Sequence, residues 1–162
     1  INNQNEYHLT MVSDCSNTDV RYASLALEEA LKSPLSSRLG CLAVVSGKIV
    51  ARGYNHYRTF SKDGLIGSTC SCHAEIDVLR KCLKKNITKK INLYIMRASM
   101  TGEMACSAPC IDCFIKMGDF NIKGLIYIDH SGEIIKRNID TFQTTYISSG
   151  RRALMENRIK CI

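Results

Sequence analysis

Cys72-His73-Ala74-Glu75 and, further along the chain, Pro109-Cys110-Ile111-Asp112-Cys113 are the stretches on which the reading of this sequence turns. His73, Cys110 and Cys113 are metal-ligating side chains, and Glu75 is a carboxylate two residues from the histidine. A catalytic zinc keeps three protein ligands and leaves its fourth position to water, whereas a structural zinc is closed by four. The two stretches supply three ligands and demand no fourth, which is the form of an open site. Cys110 and Cys113 lie three apart, a spacing that puts both thiolates on one face of a helix. Pro109 suits the first helical turn, where its missing N–H costs nothing. His73 and Glu75 diverge on a helix and converge on one metal only when the first turn meets the site end-on. Both helix N-termini then face the metal, and their partial positive charge favours thiolate and hydroxide over the protonated forms. Zinc lowers the pKa of bound water towards about 7, and a carboxylate beside it can take that proton and return it to a leaving group. Such chemistry is hydrolysis, not redox.

Two duller readings of the cysteines compete. A thioredoxin-like C-x-x-C leaves His73-Ala74-Glu75 without a role. Cys70 and Cys72 could join Cys110 and Cys113 in a closed four-cysteine zinc site. The protein is then a binding module, and Glu75 an acid that the helix dipole alone would favour. Cys70 and Cys72 could also serve a second metal, although small apolar packing is the simpler reading.

With 162 residues and 45% hydrophobic content, the chain suits one domain with a real core. A polar N-terminal segment, 1–17, precedes a single zinc-dependent domain over 18–162. Nine cysteines are an odd number, and two belong to the metal motif, so a reducing compartment is expected rather than disulfides. Ile1 to Ser16 has no apolar run like a signal peptide, and no segment reaches bilayer length. The expectation is a soluble, cytoplasmic protein with no membrane partner. A net charge of +7 favours anionic partners: nucleotides, nucleic acid or an acidic protein surface. The basic clusters at Arg80, Lys81, Lys84 and Lys85, at Lys89 and Lys90, and at Arg151, Arg152, Arg158 and Lys160 read first as solvated faces and turns. His8 and His130 have no evident partners.

Periodicity predicts a helix over Asp19–Lys32, stopped by Pro34, then strands Cys41–Val45 and Lys48–Tyr54 about Gly47. The polar loop 55–71 leads to a helix over Cys72–Lys85. A strand Ile91–Met96, the loop 97–108, a helix Pro109–Phe120 and a strand Leu125–Ile128 follow. Ser131-Gly132 reads as a turn into Glu133–Ile135, and a last short helix spans about Gly150–Arg158.

This order, with Cys72-His73-Ala74-Glu75 and Pro109-Cys110-Ile111-Asp112-Cys113, resembles the cytidine deaminase superfamily over about Asp19 to Ile135. Histidine as first ligand looks like its deoxycytidylate and tRNA-adenosine branches. The resemblance implies an α/β fold, a cytidine deaminase-like three-layer sandwich. Its central five-stranded mixed sheet would be flanked by helices. The short Ser131-Gly132 turn further suggests that the last two strands form an antiparallel hairpin, a trait of the family's free-cytidine branch, whose first ligand is normally Cys. It implies that His73, Cys110 and Cys113 bind Zn2+ and that Glu75 is the catalytic proton shuttle. Gly53-Tyr54-Asn55 matches the family's strand-end G-x-N, so Asn55 is expected to touch substrate. The backbone N–H groups of Ala74 and Cys110 would hold a ring carbonyl and the attacking water. Arg58 is the candidate phosphate donor.

The implied activity is hydrolytic deamination of a nucleobase, most simply cytosine to uracil in a small nucleoside or nucleotide, by a homo-oligomer. The alternatives are a deaminase acting on RNA or single-stranded DNA, and a non-catalytic zinc module on the same fold. Some positions depart from the pattern. Ala108 stands where the histidine branches commonly carry Glu, Ser107 where the polynucleotide-acting APOBEC group carries Trp, and Asp77 where deoxycytidylate deaminases usually have Asn. The chain has no tryptophan, which argues against a base-stacking groove.

Overall fold

Strands buried on both faces and amphipathic helices can share one core only as layers, and alternate side chains of the strands show which layer each serves. The computed structural model describes residues 14–67, 69–101 and 105–159; most of the polar N-terminal segment, His8, Lys160 and Cys161 lie outside them. The elements run α1 (Asn17–Ala30), β1 (Arg38–Val45), β2 (Lys48–Tyr54), α2 (Ala74–Lys84), β3 (Ile91–Ala98), α3 (Ile111–Met117), β4 (Ile122–Ile128), β5 (Ile134–Asn138) and α4 (Ser149–Met155). The strands form one sheet in the order β2-β1-β3-β4-β5. β1 is antiparallel to both β2 and β3, β3 and β4 are parallel, and β4 and β5 are antiparallel with Ile128 opposite Ile134. A parallel pair needs a crossover, and the segment carrying α3 provides it.

Cys41, Ala43, Leu93, Ile95, Leu125 and Tyr127 pack with Val78, Leu79 and Cys82 of α2 and Met117 of α3. Their sequence neighbours Leu42, Val44, Tyr94, Met96 and Ile126 pack with Tyr22, Ala23, Ala26, Leu27 and Ala30 of α1. This is the three-layer α/β sandwich. α1 approaches β1 so closely that a Cβ on Gly40 would lie 2.0 Å from the Ala26 carbonyl oxygen.

Several boundaries differ from the sequence expectation, each for a local reason. α1 starts at Asn17 because Ser16 and Asp19 form a capping box, Asp19 being inside the helix rather than at its start. Asp19 is also buried, accepting a hydrogen bond from the Tyr94 hydroxyl at 2.6 Å. Pro109 lies outside α3, whose N-cap is Cys110. β4 begins three residues before Leu125, running through Gly124 because Asn92 of β3 occupies the space of a Cβ there. β5 continues into Lys136, Arg137 and Asn138, exposed residues suited to an edge strand.

The cations of α2 are not merely solvated. Lys81 and Lys85 donate to the carbonyl oxygens of Arg52 and Val50 at 2.6 and 2.5 Å, covering the outer edge of β2. Arg80 is buried, and its Nε donates to Asp63 Oδ2 at 2.8 Å. Asp63 in turn accepts from the Ser61 hydroxyl and the Leu65 N–H, which pins the long loop onto α2. Among the described residues no helix is long and apolar enough to cross a membrane.

Burial alone would raise the Asp63 carboxyl, but the bonds from Ser61, Arg80 and Leu65 and the Arg80 charge outweigh it and hold the group down at about 2. A carboxyl more acidic in the fold than in the unfolded chain stabilises above its ordinary value of 3.8, and that contribution is lost as pH falls through about 2. Asp63→Asn should therefore lower the thermal midpoint at pH 7, with the deficit shrinking as the pH is taken from about 4 towards about 2. Calorimetry of both proteins across that range checks it.

Candidate metal centre

Each half of the centre is built at a helix N-terminus. His73 is the N-cap of α2 and Cys110 the N-cap of α3; both have extended backbone, and neither side chain makes a capping hydrogen bond. The first-turn N–H groups lack intrahelical acceptors, so two sets of donors converge on the same place. Cys113, three residues into α3, completes a set with His73 and Cys110 whose ligating atoms lie within 4.8 Å of one another. His73 Nδ1 is 3.2 Å from Cys113 Sγ and 3.5 Å from Cys110 Sγ. Tetrahedral zinc, with bonds of about 2.0 and 2.3 Å, spaces N and S ligands about 3.5 Å apart. The donors therefore fit zinc without rearrangement of the backbone.

The local electrostatics treat the two thiols differently. The hydrogen bond from Cys113, helped by His73, draws the Cys110 thiol down to about 4, and the same bond together with burial pushes Cys113 up. Glu75 is buried, and its Oε2 has no hydrogen-bond partner. Burial pushes this carboxyl up to about 7, against a smaller downward pull from His73. A buried orphan carboxylate oxygen is costly unless it serves something.

Other predicted residues fall differently. Ala74 is fully buried at the first position of α2, which leaves its N–H, not its side chain, to face a ligand. Asn55 is buried and spends its amide on the frame: Oδ1 accepts from the Leu39 N–H at 2.9 Å, and Nδ2 donates to the Ser37 carbonyl at 2.6 Å. Arg58 is exposed and donates through Nε to the Phe60 carbonyl at 2.8 Å. Cys70 is exposed and packs against Gly150, and among the described residues it joins no metal-type cluster. The closed four-cysteine site is thus not assembled.

Two contributions had no signal in sequence. Ser107 is buried and ties the strand ends together, donating to the Ile95 carbonyl at 2.6 Å and accepting from the Ile128 N–H at 2.8 Å. The segment after β5 returns over the centre, where the Ile111 N–H donates to the Tyr146 carbonyl at 2.8 Å. Ser148 and Arg151 line a small cavity with His73, Cys113 and Lys116. Its volume of about 30 Å³ has room for a water or two.

The family model described as the cytidine and deoxycytidylate deaminase zinc-binding region matches residues 16–129. The chain belongs to that family, whose metal is zinc. Among solved structures it is similar to a cytidine deaminase from Burkholderia pseudomallei, at 16% identity and TM-score 0.54 over 79% of this chain and 98% of the other. A mutant cytidine deaminase from Mycobacterium tuberculosis gives 19% identity and TM-score 0.52 over 80% and 97%. Identities this low establish likeness of fold. A dCMP deaminase from the cyanophage S-TIM5, solved with dCMP and dUMP, matches at 20% identity and TM-score 0.48 over 65% and 76%. No curated protein sequence matches the chain.

His73→Ala, Cys110→Ala and Cys113→Ala should each lower the zinc retained by the purified protein by about one ion per chain. Elemental analysis after gel filtration measures it, and unchanged zinc in all three variants would refute the ligand assignment.

Proposed function

We propose that the chain hydrolyses the amino group of cytosine to give uracil and ammonia, in a small cytidine or deoxycytidine nucleoside or nucleotide. Glu75 carries this reading: a buried carboxylate with an unpartnered oxygen, two residues from a histidine that faces two cysteines. Zinc held by His73, Cys110 and Cys113 would supply the Lewis acidity that makes water nucleophilic near neutral pH. Glu75 takes a proton from the attacking water, gives it to the ring nitrogen beside the reacting carbon, and then moves the second proton to the departing amine. A carboxyl near 7 can both accept and donate at neutral pH, which the double role requires. The N–H groups of Ala74 and Cys110 orient the ring carbonyl and the attacking water.

Asn55 keeps one amide hydrogen and one lone pair beyond its frame bonds and contacts the sugar with them. Arg58 meets a phosphate with the guanidinium nitrogens that Nε leaves over. Self-association belongs to the same reading and is supported by exposed apolar side chains at Ile115, Tyr146 and Met155.

A specific observation favours the rival substrate. Tyr57 and Phe60 are 64% and 67% exposed on either side of Arg58, an aromatic-cationic surface of the kind on which single-stranded bases stack. Small substrates remain the main reading because Glu75, Cys110 and Cys113 are buried.

Glu75→Gln should keep its zinc and its circular dichroism while losing about 10²-fold to 10⁴-fold in deamination rate, the usual range for a general acid-base group. Ammonia release from cytidine, deoxycytidine and their monophosphates measures it, and a variant as active as the parent sinks the mechanism. The same substrates should be converted with higher kcat/KM than cytosine in single-stranded DNA or RNA. Faster turnover of the polymer, with affinity falling steeply as salt rises, would transfer the function to nucleic acid.

A further inference from the structure

A second cluster of ligand-type side chains stands beside the first and has no part in the reaction above. His56 Nε2 lies 3.0 Å from Asp77 Oδ1, and the ligating atoms of His56, Cys72 and Asp77 are all within 4.8 Å of one another. The three come from the loop after β2, the residue preceding His73, and α2. Cys72 and Asp77 are buried and His56 half-buried.

Backbone geometry assembles them. His56 and Cys72 form an isolated antiparallel bridge, closed by N–H to carbonyl bonds of 3.0 and 2.8 Å in the two directions. Directly opposed residues of such a bridge project to the same side. Asp77 is received over Gly53, where a Cβ would come within 2.4 Å of its Oδ2. Lys81 Nζ sits 3.2 Å from Oδ2, which leaves Oδ1 to face the histidine.

We propose that His56, Cys72 and Asp77 bind a second divalent ion of the zinc class, three protein ligands leaving its fourth position to water. One imidazole nitrogen, one thiolate and one carboxylate oxygen suit zinc, whereas magnesium and calcium take oxygen-only shells. Binding releases the Cys72 thiol proton. It also moves the imidazole proton from Nε2 to Nδ1, giving up the 3.4 Å contact of Nδ1 with the Arg58 N–H. The ion would lock the start of the long loop and the residue before His73 onto α2.

The test is the zinc content of the chain, saturated with zinc chloride and freed of excess by gel filtration. About two ions per chain are expected for the parent, and about one for each of His56→Gln, Asp77→Ala and His73→Ala. Glutamine at 56 keeps a hydrogen-bonding partner for Asp77 but is a poor zinc ligand, so its loss of metal with unchanged circular dichroism is not a folding defect. About one ion in the parent, undiminished in His56→Gln, overturns the second site and leaves the His73 centre standing. An ion lost with His56→Gln while His73→Ala loses none overturns the His73 centre and leaves this one.

Discussion

Two helices have to end at one point, with the residues that would ordinarily cap them turned to another use. His73 and Cys110 occupy N-cap positions without making cap bonds, although a capping side chain is worth about 1 kcal/mol. The convergence of positive helix ends is unfavourable until something anionic, such as a cysteine thiolate, lies between them. The rest of the fold opposes their separation. The shared sheet sets the distance between the helices, the Arg80–Asp63 pair holds the loop that leads into α2, and Ser107 clasps the loop that leads into α3. The Tyr146 carbonyl then takes one of the N–H groups that α3 leaves open.

The five strands and the candidate metal ligands were legible in sequence because each has a strong local signature, and the layer order followed from the family resemblance. Strands buried on both sides are written as Cys41–Val45 and Ile91–Met96, and the three ligands lie in two short motifs. Strand and helix ends were less legible, for reasons tied to single side chains. Asp19 looked like a helix start, yet it is the third helical residue, answering Ser16 and also serving Tyr94. The fourth strand was read from Leu125, yet it runs through Gly124, which makes room for Asn92. Such pairings join residues distant in sequence, which periodicity does not register.

The site divides in the same way. His73, Glu75, Cys110 and Cys113 could be named from residue type and spacing, while the surroundings that give Glu75 its burial are tertiary. Asn55 illustrates the risk of reading roles from a motif alone: the same side chain that the family pattern marks for substrate is also the tie between the end of β2 and the start of β1. The cations of α2 show the converse. Lys81, Lys85 and Arg80 look like a free basic face in sequence, and the fold engages all three in bonds to the chain itself. The net positive charge therefore overstates what is free for an anionic partner.

The lysines along β2 also restrict how copies of this chain can meet. An open sheet grows most readily by adding a strand to an edge, because the edge offers ready-made N–H and carbonyl groups. Here one border has carbonyl oxygens already taken by Lys81 and Lys85. The other, β5, carries the exposed Arg137 beside Lys136, whose Nζ pairs with Asp19 Oδ2 at 3.2 Å, so Arg137 would meet like charge in a second copy. Both borders are thus poor templates for the edge-to-edge addition of a strand from another chain.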